Sequence, residues 1–397
     1  MIDFIKFRIF NPIMATAKYE SAIAMLDSKC KKIAEILNSE TYNRYTSLKE
    51  YVESGQCKND IAIVKNQKFE NSSEYILEKN LNSLKASKNV KKYLATGQNN
   101  DSFEVAEYLK VKSQVETSEF QQKKAYLCDK DKHKKCNAQK LLDEFNFLKK
   151  SNDIKSLPSL QKSCAKYIAE NAKWQSTFSD DFTQGNLGEK WITKPAAAEQ
   201  SHLQKSYSQY GDLHFTTDGK NLSIRNSTLQ IITKNEKIEG LGWNEQHGFV
   251  PKMFSYTSGI VNTATKFLQS QGKIEAKIRV PRTKGTYHAF WLGGNQILPF
   301  VNIFCVNSGK LQVGAFTGSQ NVVKKLPIPL KDDFYVVGIE WNEMEIVWKI
   351  NGKIVFTGRI SINEPLYPAF SSGVKTEGIT ELPVSFDIDW IKCYKRK

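Results

Sequence analysis

The run Ile346-Val-Trp-Lys-Ile350, then Asn351-Gly352, then Lys353-Ile-Val-Phe356 decides the fold class of the C-terminal half. Apolar and polar residues alternate on both sides of an Asn-Gly pair. Both turn residues tolerate the positive φ that a tight hairpin turn requires, so the stretch reads as two antiparallel strands. Working outward, the same alternation recurs in Leu222-Ser-Ile-Arg225, Thr228-Leu-Gln-Ile-Ile-Thr233, Gly272-Lys-Ile-Glu-Ala-Lys-Ile-Arg-Val280 and Tyr335-Val-Val-Gly-Ile-Glu-Trp341. Nine of the eleven Pro and all seven Trp lie in residues 174–397. Short strands between Gly and Pro turns predict a two-sheet antiparallel β-sandwich there.

Residues 1–173 read differently. They are rich in Lys, Glu, Asn, Leu and Ala, and Ile23, Leu26, Cys30, Ile33 and Leu37 form an apolar stripe at helical spacing. Ser54, Ser87, Ser118 and Ser151 recur at intervals of 33, 31 and 33 residues, each preceded at three residues by an apolar side chain (Tyr51, Leu84, Val115, Leu148). That period predicts a stack of helical hairpins, with an irregular helical bundle as the alternative, acting as a spacer or interaction region. The expected division is therefore a helical region at 1–173 and an all-β domain at 174–397.

Several segments of the second half, taken in order, resemble glycoside hydrolase family 16. They are Phe178-Ser-Asp-Asp-Phe182 with Lys190-Trp191, Tyr256-Thr-Ser-Gly-Ile-Val-Asn-Thr263, Gly272-Lys-Ile-Glu-Ala-Lys-Ile278, Gly285-Thr-Tyr-His-Ala-Phe-Trp-Leu292, Gly338-Ile-Glu-Trp341 and Phe386-Asp-Ile-Asp-Trp-Ile-Lys-Cys-Tyr394. The resemblance covers roughly 174–397. It implies a concanavalin A-like jelly roll with a glycan-binding cleft, and a Glu-x-Asp-x-Glu or bulged Glu-x-Asp-x-x-Glu strand after the Ala-Phe-Trp segment. Retaining hydrolysis uses two carboxyls about 5 Å apart. Here the matching stretch is Pro299-Phe-Val-Asn-Ile-Phe-Cys305, and no carboxylate stands between Glu275 and Asp332. Phe300, Asn302 and either Phe304 or Cys305 take the expected acid positions. The expectation is a pseudoenzyme without a catalytic residue. Its cleft would bind sugar through Trp243, Tyr287, His288, Trp291, Phe300 and Asn302, by ring stacking and hydroxyl hydrogen bonds. Trp341, Trp348 and Trp390 are expected in the core.

Other features carry less. The resemblance places Asp389 where some family members bind structural calcium. Apart from that ion no cofactor is expected. Cys128, His133 and Cys136 offer three potential metal ligands, but no common zinc spacing, and four lysines crowd them. The net charge of +15 is spread thinly with acids interleaved, which reads as solvated surface rather than a nucleic-acid face. No apolar run reaches the ~20 residues of a membrane span. Met1–Phe10 is broken by Asp3, Lys6 and Arg8 and lacks an export-signal pattern. Localisation is thus read as cytoplasmic or virion- and assembly-associated. The partner is a glycan or, in the alternative reading of an assembly protein, other chains, including copies of itself. A third reading is a hydrolase with an unrecognised site.

Overall fold

A computed structural model describes residues 13–98, 102–200 and 204–397. The Met1–Phe10 segment read above against an export signal lies outside the described residues. None of the described helices is long and apolar enough to cross a membrane.

The helical region contains α1 (Thr16–Leu37), α2 (Glu40–Glu53), α3 (Gln56–Asn66), α4 (Ser73–Ala86), α5 (Lys88–Thr96), α6 (Phe103–Val115), α7 (Ser118–Cys128), the single turn α8 (Lys132–Lys135), α9 (Asn137–Lys149) and α10 (Asn152–Ala172). The serine period marks the breaks. Ser54 closes α2, and Ser87 both closes α4 and caps α5, accepting from Val90 N–H at 3.4 Å. In the third copy Thr117, one residue before Ser118, is the cap and accepts from Phe120 N–H at 3.3 Å. Side-chain oxygens there satisfy helix N-terminal donors that have no intrahelical partner.

Neighbouring helices pack on one another, α2 on α3 and α4 on α5. α9 packs on α2 and α3, while α4 packs on α6, so the returning chain runs back along the outgoing one. Tyr45 stacks on Phe145 at 5.5 Å and Arg44 forks onto Glu144 with two 2.7 Å bonds. Leu81, Val90, Val105, Tyr108, Val111, Val115 and Phe120 form a core of this region.

The all-β half contains β1 (Trp174–Asp180), β2 (Ser208–Gln209), β3 (His214–Thr217), β4 (Leu222–Arg225), β5 (Thr228–Asn244), β6 (Gly248–Asn262), β7 (Gly272–Arg279), β8 (Thr286–Gly293), β9 (Phe300–Asn307), β10 (Lys310–Phe316), β11 (Asn321–Leu326), β12 (Tyr335–Trp341), β13 (Glu345–Ile350), β14 (Lys353–Arg359), β15 (Tyr367–Val374) and β16 (Val384–Arg396). One layer runs β11-β10-β9-β8-β15-β6. The other runs β5-β16-β7-β12-β13-β14, and the long β5–β6 hairpin joins them. The predicted Asn-Gly hairpin is β13–β14, with Asn351 and Gly352 both at positive φ. Phe290, Phe304, Phe370 and Phe386 meet between the layers, as do Trp348 and Ile274. Trp348 also donates its indole N–H to Asn302 O at 2.9 Å. Trp341 is likewise buried, but Trp390 is only half-buried, beneath Lys392.

Packing divides the chain into two compact units. One is 28–165. The other joins the described residues 13–27 to 166–397. Secondary structure changes at Lys173, whereas the packing boundary falls inside α1 and α10. In the second unit Asn351 donates to Met14 O at 2.8 Å and to Thr16 Oγ1 at 3.0 Å. Lys277 pairs with Glu20 at 2.9 Å, and Tyr167 donates to Asp27 at 2.6 Å.

Candidate functional site

β8 has a period of two, so its neighbours face opposite ways. Thr286, His288, Phe290 and Leu292 point inward and are buried, while Tyr287 and Trp291 are half-buried on the outer face of the layer. That face is the one the family resemblance identifies as the cleft. β9 carries a bulge: Phe290 pairs with Phe304, but Trp291 pairs with Asn302, leaving Ile303 as the extra residue. Ile303 and Phe304 are both buried, and Phe300, Asn302 and Cys305 are half-buried together on the cleft face. The bulged spacing is therefore the one realised, and Cys305 rather than Phe304 takes the third position.

Four aromatic rings from four strands adjoin on this face. Phe316 of β10 lies 6.2 Å from Phe300, Phe300 lies 5.1 Å from Trp291, and Trp291 lies 5.9 Å from Tyr367 of β15. Trp291 is fixed in place by its indole N–H, which donates to Ser371 Oγ at 3.0 Å. Beside the Phe316 end lies a surface cavity of about 750 Å³ lined by Gln296, Pro299, Thr317, Gln320 and Glu364.

The other end of β8 is polar. His214 of β3 is 1% exposed. It accepts Val374 N–H on Nδ1 at 3.3 Å and places Nε2 at 3.5 Å from the Tyr287 hydroxyl. Gly373 makes this possible, because a Cβ there would overlap the His214 and Tyr287 rings. Lys375 Nζ sits 4.9 Å over the Tyr287 ring. Burial lowers the His214 pKa to about 4, against the opposing pull of Asp212. Burial raises the Tyr287 phenol, and raises the Cys305 thiol against the opposing charge of Lys375. The thiol is thus held in its neutral form at neutral pH. Carboxylates reach this region from loops, Asp212 beside His214 and Glu364 at the cavity, rather than from β9.

The sequence-based candidates separate accordingly. Tyr287, Trp291, Phe300 and Asn302 share the cleft face. His288 does not. It is buried among Thr286, Ser372 and Phe386, with ring nitrogens 3.0 Å from Thr286 Oγ1 and 2.8 Å from Ser372 Oγ. Strand alternation turns His288 into the core, and burial lowers its pKa to about 3. Trp243 lies on the β5–β6 ribbon in another aromatic group, 4.8 Å from Phe249, which is 5.0 Å from Tyr207.

Asp389, where the family resemblance implies structural calcium in some members, faces a lysine. It pairs with Lys277 at 3.0 Å, so an ammonium supplies the positive charge that a divalent ion would bring. Among the described residues no group of three or more His, Cys, Asp or Glu is placed to hold a metal, Cys128, His133 and Cys136 included. Sequence reasoning missed His214, Tyr367, Ser371, Lys375 and Phe316. The alternation in Tyr367-Pro-Ala-Phe-Ser371 carried a signal for two of them, but nothing local to His214 tied it to Tyr287.

Comparison with known proteins places residues 209–376 on the family model "Glycosyl hydrolases family 16"; the helical region lies outside the match. A glucan endo-1,3-beta-glucosidase A1 of Niallia circulans is 20% identical over 220 residues, covering 43% of this chain and 32% of that protein. The endo-1,3-1,4-beta-glycanase ExsH of Rhizobium meliloti is 24% identical over 250 residues, covering 55% and 51%. The chain thus spans about a third to a half of the length of these relatives. Among solved structures, the catalytic domain of an endo-1,3-beta-glucanase (laminarinase) from Thermotoga petrophila aligns with a TM-score of 0.46 at 22% identity, over 56% of this chain and 98% of that domain. The expectation of a pseudoenzyme is corrected by these relatives, which are themselves named as glucan-cleaving enzymes. The uncharged β9 positions do not carry that reading against them.

Proposed function

We propose, from a family 16-like domain in the all-β half, that the cleft face binds β-1,3-linked glucan chains. The relatives supply the substrate class through their names. The observation that carries the proposal is the aromatic shelf of the half-buried Phe316, Phe300 and Trp291, backed by the buried Tyr367. Aromatic faces stack on the C–H faces of pyranose rings, and adjoining rings drawn from successive strands suit a chain lying across the strands. Asn302 and Tyr287 lie on the same face, where they can hydrogen-bond sugar hydroxyls.

The test is affinity electrophoresis of the full chain in gels containing laminarin, with dextran as the control polymer. Reducing ends are measured in parallel to read any turnover. Laminarin should retard the protein and dextran should not. Trp291→Ala should weaken retention ~10-fold or more, the loss of roughly 1.4 kcal/mol of stacking. Trp390→Ala, on the outer face under Lys392, should leave it unchanged. Equal mobility in laminarin and dextran would overturn the proposal.

A further inference from the structure

We propose that His214 is a positioning residue that holds the Tyr287 hydroxyl as a hydrogen-bond donor facing the ligand. The inference rests on the glucan reading of the cleft and concerns how one of its polar groups is set.

The argument starts from the backbone. Val374 N–H can only donate, and it reaches His214 Nδ1 at 3.3 Å. Nδ1 must therefore be the bare nitrogen, and a neutral ring then carries its proton on Nε2. Nε2 lies 3.5 Å from Tyr287 Oη, so that N–H points at the phenol oxygen. The opposite polarity, Tyr287 donating to Nε2, would need a proton on Nδ1, directly against the Val374 N–H.

With His214 Nε2–H on Oη, the phenol's own proton is the part left to give. Tyr287 therefore offers the cleft a donor suited to a glycosidic or hydroxyl oxygen. Asp212 and Lys375 are the charged groups facing this pair, and burial keeps the imidazole neutral at physiological pH. Gly373 leaves the space in which the two rings meet.

Two measurements decide the matter. Nitrogen-15 NMR of histidine-labelled full-length protein should show His214 with a protonated Nε2 and a bare Nδ1. The reverse tautomer, or a cationic ring at pH 7, would overturn the proposal without any ligand present. Calorimetry with laminarihexaose should then show His214→Leu binding ~10-fold more weakly, the scale of one neutral hydrogen bond. His214→Gln, whose amide can accept from Val374 and donate to Tyr287, should restore affinity to within ~3-fold of wild type. In a Tyr287→Phe background, His214→Leu should add no further loss. An equal loss in both backgrounds would sink this inference while leaving glucan binding intact. No binding by the wild type would sink the glucan reading and, with it, the ligand role of the phenol.

Discussion

Lowering the pH from 7 to 5 should destabilise the sandwich through two histidines. His214 and His288 are each 1% exposed, and burial lowers their pKa values from 6.5 to about 4 and about 3. Both folded values lie below the unfolded one, so the unfolded chain takes up protons first as pH falls. The stability associated with the neutral rings is fully present above pH 6.5 and is lost as pH drops toward the folded values. At 1.36 kcal/mol per unit of pKa difference, the loss between pH 7 and 5 is roughly 2 kcal/mol for each ring and about 4 kcal/mol for both. That is a large share of the ~5–15 kcal/mol that holds a typical domain. The assay is urea unfolding followed by tryptophan fluorescence, which reports the sandwich because all seven Trp lie in 174–397. The exposed carboxylates act mainly below pH 5, so the window isolates the histidines. His214→Gln and His288→Gln should each remove about half of the pH dependence. Wild-type stability constant to within ~1 kcal/mol across the window, or a full slope retained in both variants, would refute the reasoning.

Three further outcomes follow from the packing. Asn351→Ala should lower the unfolding free energy by roughly 2–4 kcal/mol in the same urea assay: it puts a Cβ-only residue at φ 46° and strands Val336 N–H, which Asn351 Oδ1 accepts at 2.8 Å. Gly373→Ala should weaken laminarin retention at least as much as Trp291→Ala, because the added methyl forces the His214 and Tyr287 rings apart; unchanged mobility would show that the rings are not in contact. Calcium or EGTA should leave the melting temperature of the wild type within ~1 °C, since Lys277 already neutralises Asp389; a larger rise with calcium would show a bound ion.

The sandwich was legible because its signals are local. Alternation and the Asn351-Gly352 turn specify strands without knowledge of distant partners. The helix breaks were legible for the same reason, through capping residues, but not the order in which the helices pack. Arg44 meeting Glu144 across a hundred residues is a tertiary fact with no local trace. The cleft shows both sides of this limit. Tyr287, Phe300 and Asn302 are legible only through the family resemblance of their segments, and Trp291 only as one aromatic candidate among several. His288 is named by the same family-like segment as Tyr287, but the alternation of β8 turns it into the core. His214 was invisible because it meets Tyr287 only where β3 and β15 come together. The β9 bulge could not be placed by counting, which is why Phe304 and Cys305 stayed equivalent until the pairing with β8 was seen.

The sandwich unit is assembled from two stretches of chain that are distant in sequence, and this governs how it can be dissected. A fragment beginning at 174 would discard residues 13–27 and leave Asn351 without Met14 and Thr16, and Lys277 without Glu20. It would report on an incompletely covered sheet rather than on the intact sandwich unit. The Asp27–Tyr167 hydrogen bond of 2.6 Å shows that the chain leaves and re-enters this unit at neighbouring points. In topological terms, residues 28–165 are an insertion between two stretches of the sandwich unit, with its boundaries inside α1 and α10. Replacing them with a short linker closes a gap that is already nearly closed, at a modest loop-entropy cost, and keeps the contacts that residues 13–27 make with the sheet.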